Sequence, residues 1–407
     1  MATTRRLIVK RLGGALVARP DALLDVASGM LSAAYIVRQR GLAHHRAAGM
    51  ALHPGNRWAP FDERQPFRLA SVSKMVCMFG FMTLIARGLV DLDADVSTYL
   101  GAQLRHPAFP NVAITARRLL SHTSGLRNGI DFPVPFNQAL LNRFDRAARE
   151  PDFGGWFAPA NETPGEWFAY SDTNFAVIAQ IAERVTAMRF DCFMRETLFA
   201  PLRLDIGYNW SEVSQRKRER TAAGCRWADG VWAPQVDANP PSAPEVALYR
   251  AEGDAASTSA DYSIGMNGFA LAPHGGLRSS LLDMDALARH FLGSSGVNPM
   301  GTPAWIFSPD RPNGASENGF YQAYGLGMQI PLGRPSDSFF GADSADWRGH
   351  CGDAYGWMTG LWWNTRTQTT LVYAINGMPE TNRRQAAQTA LTAAEQAVID
   401  RALAEVK

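Results

Sequence analysis

The stretch FRLASVSKMVCMFGFM, residues 67–82, sets two serines and a lysine ahead of an almost unbroken apolar run. An unpaired ammonium is costly to desolvate, so Lys74 beside a buried segment calls for a chemical explanation. A serine becomes nucleophilic when a neighbouring group takes its proton. Residues three apart share a helix face, which sets Ser71 beside Lys74, whereas Ser73 is turned about 100° away. A serine at a helix start also has unsatisfied backbone N–H groups nearby that can hold a developing oxyanion. Desolvation by the apolar helix predicts a depressed Lys74 pKa, suited to a base acting on Ser71. The bland alternative is that Ser71 caps the helix and Lys74 snorkels to the surface. A second S-x-x-K, Ser214 to Lys217, falls in the charged run QRKRER (215–220), where a lysine stays hydrated.

The elements that must position these groups are legible in outline. Residues 20–32 read as a short amphipathic helix with Pro20 in its first turn. AAYIVRQRG (33–41) and LAHHRAAGMAL (42–52) read as two strands turning at Arg40-Gly41. Met75 to Ile85 is apolar nearly all round and predicts a helix buried within the molecule. A Pro/Gly-rich turn in NETPGEWFAYSDTNFAVIAQIAERVTA (161–187) feeds a second strong helix. Residues 204–275 lack periodicity and predict a long irregular region, a lid or pocket wall. Its Trp210, Trp227 and Trp232 either line a pocket or form ordinary core. YGWMTGLWW (355–363) and TTLVYAIN (369–376) read as paired strands, and 381–406 as a long Ala-rich helix with Leu391, Ala394, Val398 and Ala402 on one stripe. The expected fold is α/β plus all-α. Residues 1–67 and 277–407 make an antiparallel sheet flanked by N- and C-terminal helices, and 68–276 an inserted, mostly helical domain.

Three motifs in order bring a family into view. SVSK gives Ser71 and Lys74, AYSDTNF gives Tyr170-Ser171-Asp172, and GHCGD gives His350-Cys351-Gly352. ITARRLLSHTSGL (114–126), PGEWFAYSDTNF (164–175), PHGGLRSS (273–280) and YGLGM (324–328) support them. From about residue 30 to its C-terminus the chain resembles the β-lactamase-related serine hydrolases: class C β-lactamases, D,D-carboxypeptidases, D-aminopeptidases and related esterases. The resemblance implies a β-lactamase/transpeptidase-like fold and an acyl-enzyme on Ser71. Lys74 and Tyr170 would handle protons, with His350 and Gly352 beside the substrate and an oxyanion hole from the N–H groups of Ser71 and Asp353. Tyr170, close to an ammonium, could serve as base and then acid.

Asp172 departs from the asparagine of the family pattern. A carboxylate only accepts hydrogen bonds, so ionised Asp172 either pairs with Lys74, shifting the base role to Tyr170, or caps the helix that follows. His274 also sits in an H-x-G, but it leads through a loop into a helix and reads as structural, as does His122 in a hydrogen-bonded turn. Cys351 is expected to point away from the substrate as a small buried hydrophobe. Acidic groups at 172 and 353 disfavour anionic substrates, which points to neutral esters or amides, or to substrates with a free amine.

Composition excludes other classes. Forty Lys plus Arg against 38 Asp plus Glu, with one short basic run, gives no nucleic-acid patch. Four scattered cysteines without a C-x-x-C suggest neither a disulfide framework nor structural zinc. No H-E-x-x-H or P-loop supports a metal or nucleotide cofactor, and none is expected. No segment reaches the roughly 18 apolar residues of a membrane span. TRRLIVK (4–10) loosely imitates a twin-arginine signal, but the apolar stretch after it is short, so a cytoplasmic location is expected, with a periplasmic one as the alternative. The competing functions are a true β-lactamase or D,D-carboxypeptidase, and a non-catalytic scaffold.

Overall fold

The computed structural model describes residues 29–135, 137–150, 153–228, 230–238, 262–294, 300–377 and 389–407. Strand β1 (Ser32–Gln39) returns as β2 (Leu42–His53) through Arg40 and Gly41, whose φ values of 50° and 84° are those of a tight hairpin turn. β3 (Arg57–Pro60) continues the meander. The chain then leaves the sheet and comes back as β4 (Trp347–Ala354), β5 (Trp357–Asn364) and β6 (Thr370–Asn376). The six strands lie in the order β4-β5-β6-β1-β2-β3, with every neighbouring pair antiparallel. The two halves of the chain join where β1 pairs with β6.

Alternation along β1 sorts the core into two layers. Ala34 and Ile36 pack with α1 (Val72–Ala86) and α4 (Leu281–Gly293) on one face. Ala33, Tyr35 and Val37 pack with α5 (Ala393–Ala404) on the other. Between the halves, α3 (Thr173–Thr186) stacks against α1 and α2 (Ala116–Leu120) against α3, extending the first layer away from the sheet. α1 is buried at every position from Val72 to Phe81, because it lies between this helical layer and the sheet.

Three expectations need correction. Of the helix expected over 20–32, residues 20–28 lie outside the described set, and from Gly29 the chain already turns into β1. The helix expected over 381–406 begins only at Ala393; its residues 381–388 are outside the described set. Thr392 and Glu395 form a reciprocal capping box there, which ends the helix whatever the alanine content ahead of it. Leu391 is buried on the same layer but precedes the helix.

Of the irregular region expected over 204–275, residues 229 and 239–261 lie outside the described set, and the described residues are more ordered than their composition suggests. It holds a hairpin, Gly224–Ala228 with Val231–Val236, whose Trp227 and Trp232 pair across the strands with ring centroids 4.9 Å apart. Gly207–Tyr208 pairs with Leu277–Ser279. Trp210 donates to Asp237, which also takes two hydrogen bonds from Arg278. All three tryptophans therefore serve local packing.

Candidate active site

The serine's position is fixed from both sides. The Leu69 N–H donates to the Leu277 carbonyl (2.9 Å), and the Leu69 carbonyl accepts from the Thr359 hydroxyl on β5 (2.7 Å). Ala70 then takes φ of 49°, a conformation costly for a residue with a Cβ, and Ser71 opens α1. Ser71 makes no side-chain cap, so its hydroxyl is not spent on the helix. Ser73 is the structural serine: its Oγ accepts from the Leu277 N–H at 3.1 Å.

Lys74 is fully buried and meets three acceptors: Ser71 Oγ at 3.1 Å, the His274 carbonyl at 2.7 Å and Asp172 Oδ1 at 2.6 Å. Burial pushes its pKa down, and the Asp172 carboxylate works in the opposite direction. Burial also resists the charge on Asp172, but the Lys74 ammonium outweighs it and holds the carboxyl down at about 2. The surface reading of Lys74 is thereby excluded. His274, read from sequence as structural, matters through its main-chain oxygen.

The choice left open for Asp172 is settled by a residue that no motif names. Asn128 Oδ1 accepts from the Thr173 N–H, the Thr173 hydroxyl and the Ser171 hydroxyl, each at 3.1 Å. An amide from 45 residues upstream thus caps α3, while Asp172 makes no cap and turns to Lys74. Tyr170 is held by the 121–126 turn. The Ala169 N–H donates to the His122 carbonyl and the Ser171 N–H to His122 Nδ1. The Tyr170 ring lies 4.7 Å from Lys74 Nζ and stacks on Tyr321 at 5.2 Å.

The third motif lies on β4, the edge strand. The Gly349 and Cys351 N–H groups both turn outward to Gln329, which puts the Asp353 N–H on the same open edge. Gly352 faces the serine loop: a Cβ there would stand 2.4 Å from the Leu69 oxygen and 3.0 Å from the Ser71 nitrogen.

His350 departs from its expected place beside the substrate. It is fully buried, with Nδ1 donating to the Cys351 carbonyl and Nε2 accepting from the Tyr324 hydroxyl at 2.9 Å. Those partners define a neutral tautomer, and burial holds its pKa down at about 3. Strand alternation explains the exchange: with His350 turned inward, Cys351 and Asp353 line the cavity. Cys351, expected to point away, borders it with Sγ 3.3 Å from the Tyr373 hydroxyl.

The cavity spans about 540 Å³ counting the open space at its mouth and is lined by Ser71, Tyr170, Glu317, Phe320, Tyr321, Cys351, Asp353 and Glu395. Sequence reasoning missed Glu317, Phe320, Tyr321 and Glu395. Only Glu395 carried a signal, the T-x-x-E of a capping box.

A six-stranded antiparallel sheet with a serine-bearing helix packed between it and a helical layer is the β-lactamase/transpeptidase-like fold. The Beta-lactamase family matches residues 14–395, and the chain belongs to that family. Penicillin-binding protein 4* of Bacillus subtilis is 27% identical over 184 residues, covering 43% of this chain and 36% of that protein. Esterase EstB of Burkholderia gladioli is 30% identical over 218 residues, 47% of this chain and 52% of its own. The matches thus span from about a third to about half the length of these relatives. Among solved structures, D-amino acid amidase from Ochrobactrum anthropi, complexed with D-phenylalanine, aligns over 100% of both chains with a TM-score of 0.63 and 17% identity. The Beta-lactamase/D-alanine carboxypeptidase from Yersinia pestis aligns with a TM-score of 0.64 at 18% identity, over 100% of this chain and 99% of that one.

Proposed function

We propose that this chain is a serine hydrolase that cleaves an ester or amide through an acyl-enzyme on Ser71. The observation that carries the reading is the 3.1 Å contact between Ser71 Oγ and the desolvated Lys74 amine, with Tyr170 alongside. Lys74 and Tyr170 act as one proton-holding pair, which sheds a proton to solvent before it can serve as base. Ser71 Oγ then bonds to the acyl carbon while its proton passes to the vacancy on the pair. The carbonyl electrons move onto oxygen, where the N–H groups of Ser71 and Asp353 receive the charge. Collapse breaks the bond to the leaving group, which takes its proton from the pair. Water repeats the sequence and frees Ser71.

The substrate class follows from charge. Asp172 is compensated by Lys74, so the reading rests on what the described cavity wall lacks: a basic side chain to receive a substrate carboxylate. The lining residues offer carboxylates and no lysine or arginine among the described residues. Without a cation on that wall, a substrate carboxylate has no complementary charge to meet. Neutral esters, amides and amine-bearing substrates of the esterase or D-amino acid amidase kind are favoured over β-lactams and D-alanyl-D-alanine peptides.

A fluorophosphonate probe followed by peptide mapping tests the catalyst, with the label expected on Ser71. A panel of a short-chain p-nitrophenyl ester, a D-amino acid amide and a chromogenic cephalosporin tests the substrate class. Rapid cephalosporin turnover with neglect of the other two would favour a true β-lactamase instead.

A further inference from the structure

Asp172 uses one oxygen and leaves the other open. Oδ1 holds Lys74 at 2.6 Å, the side chain is 24% exposed, and Oδ2 accepts no hydrogen bond among the described residues. The capping role that would occupy it belongs to Asn128. The same ammonium that Asp172 holds also touches Ser71 Oγ, so one amine separates the carboxylate from the nucleophile, although Asp172 is not itself among the residues lining the cavity.

We infer that Asp172 couples substrate recognition to the activation of Ser71: its open oxygen receives an ammonium of the substrate, and that contact releases the proton which the same carboxylate holds on Lys74. The inference rests on Ser71 being the nucleophile and names the substrate class more narrowly.

Several ionisable groups surround Lys74. Burial keeps His122, His274 and His350 neutral, and it keeps the Cys77 thiol protonated on the same helix. Arg68 opposes the ammonium, Tyr170 lies against it through its ring, and Asp172 is the carboxylate that favours it. A substrate cation at Oδ2 offsets the field of that carboxylate. The Lys74/Tyr170 pair then gives up its one proton to solvent at lower pH, and the vacancy accepts the Ser71 proton as the Oγ–acyl bond forms. A neutral substrate leaves the carboxylate's hold intact. An amine on the substrate therefore raises kcat at mildly acidic pH as well as binding.

The test compares an amino acid p-nitroanilide with its des-amino counterpart, below pH 7, where an α-ammonium of pKa about 7.7–8.0 stays charged. The acid limb of kcat/KM reports the free enzyme and that of kcat the complex. For the ammonium-bearing anilide, the kcat limb should lie about one pH unit below the kcat/KM limb. For the des-amino anilide the two limbs should coincide, and Asp172→Asn should make them coincide for both. Coincident limbs with both substrates in the wild type, or a separation that survives in Asp172→Asn, overturns the coupling. Absence of both turnover and fluorophosphonate labelling at Ser71 fells the hydrolase reading, and this inference with it. Turnover with coincident limbs fells this inference alone.

Discussion

Gly352 passes so close to Ser71 that a Cβ at position 352 would stand 3.0 Å from the Ser71 amide nitrogen and 2.4 Å from the Leu69 oxygen. It would also strike the Thr359 hydroxyl at 2.5 Å, and since that hydroxyl and the Leu277 carbonyl hold Leu69 in place, the loop has little room to swing aside. Gly352→Ala must therefore push the serine loop off the edge strand, widening the gap between the two oxyanion donors. Overpacking of this kind costs about 1–3 kcal/mol, and losing one oxyanion donor about 10²–10³-fold in kcat. Urea unfolding and ester turnover together check it; a variant with wild-type kcat would refute the assigned donors.

Ser71 and Ser73 separate in a pair of variants. Ser71→Ala should abolish fluorophosphonate labelling and lower turnover by roughly six orders of magnitude. Ser73→Ala leaves the buried Leu277 N–H without its acceptor, which costs about 1–3 kcal/mol of stability. Labelling should persist in that second variant. Mass mapping of the label and a denaturation midpoint distinguish the two roles.

Asn128→Ala removes the acceptor shared by three donors at the start of α3. Loss of a helix cap costs about 1 kcal/mol. The freed Thr173 N–H also competes for the Asp172 carboxylate, so kcat should fall although Asn128 touches no reacting atom. Restoring the cap with Asn128→Asp should return most of the stability. Unchanged kcat in the alanine variant would mean that Asp172 stays on Lys74 without help.

The buried histidines make the fold sensitive to acid. Burial holds His350 at about 3 and His274 at about 4, and His122 well below the ordinary 6.5. Below pH 6.5 the unfolded chain binds protons that the folded chain refuses, so stability is complete above that pH and falls as pH drops towards the folded values. Each such histidine contributes about 1.4 kcal/mol per pH unit. His350→Gln should flatten the acid slope by about one proton between pH 6 and 4.5, read from urea midpoints. An unaltered slope would show that His350 is not among the groups responsible.

The sequence alone determined what local spacing can determine. Ser71 was distinguished from Ser73 by the helical period, the Arg40-Gly41 hairpin by turn chemistry, and the burial of α1 by apolar residues all round it. Three ordered motifs determined the family. Tertiary structure decided whatever depends on partners distant in the chain. Lys74 meets the carbonyl of His274, 200 residues on, and the cap on α3 comes from Asn128, which is why Asp172 is free to hold the lysine. The inward turn of His350 and the outward turn of Cys351 were set by the pairing of β4, since a strand's alternation fixes which residues differ in facing but not which face meets the cavity.

Beneath all of this lies one contact: a buried amine touching the Ser71 oxygen while a carboxylate from the start of another helix also holds it. Normal hydrolysis by a protein lacking that serine oxygen would leave the proposed chemistry without a foundation.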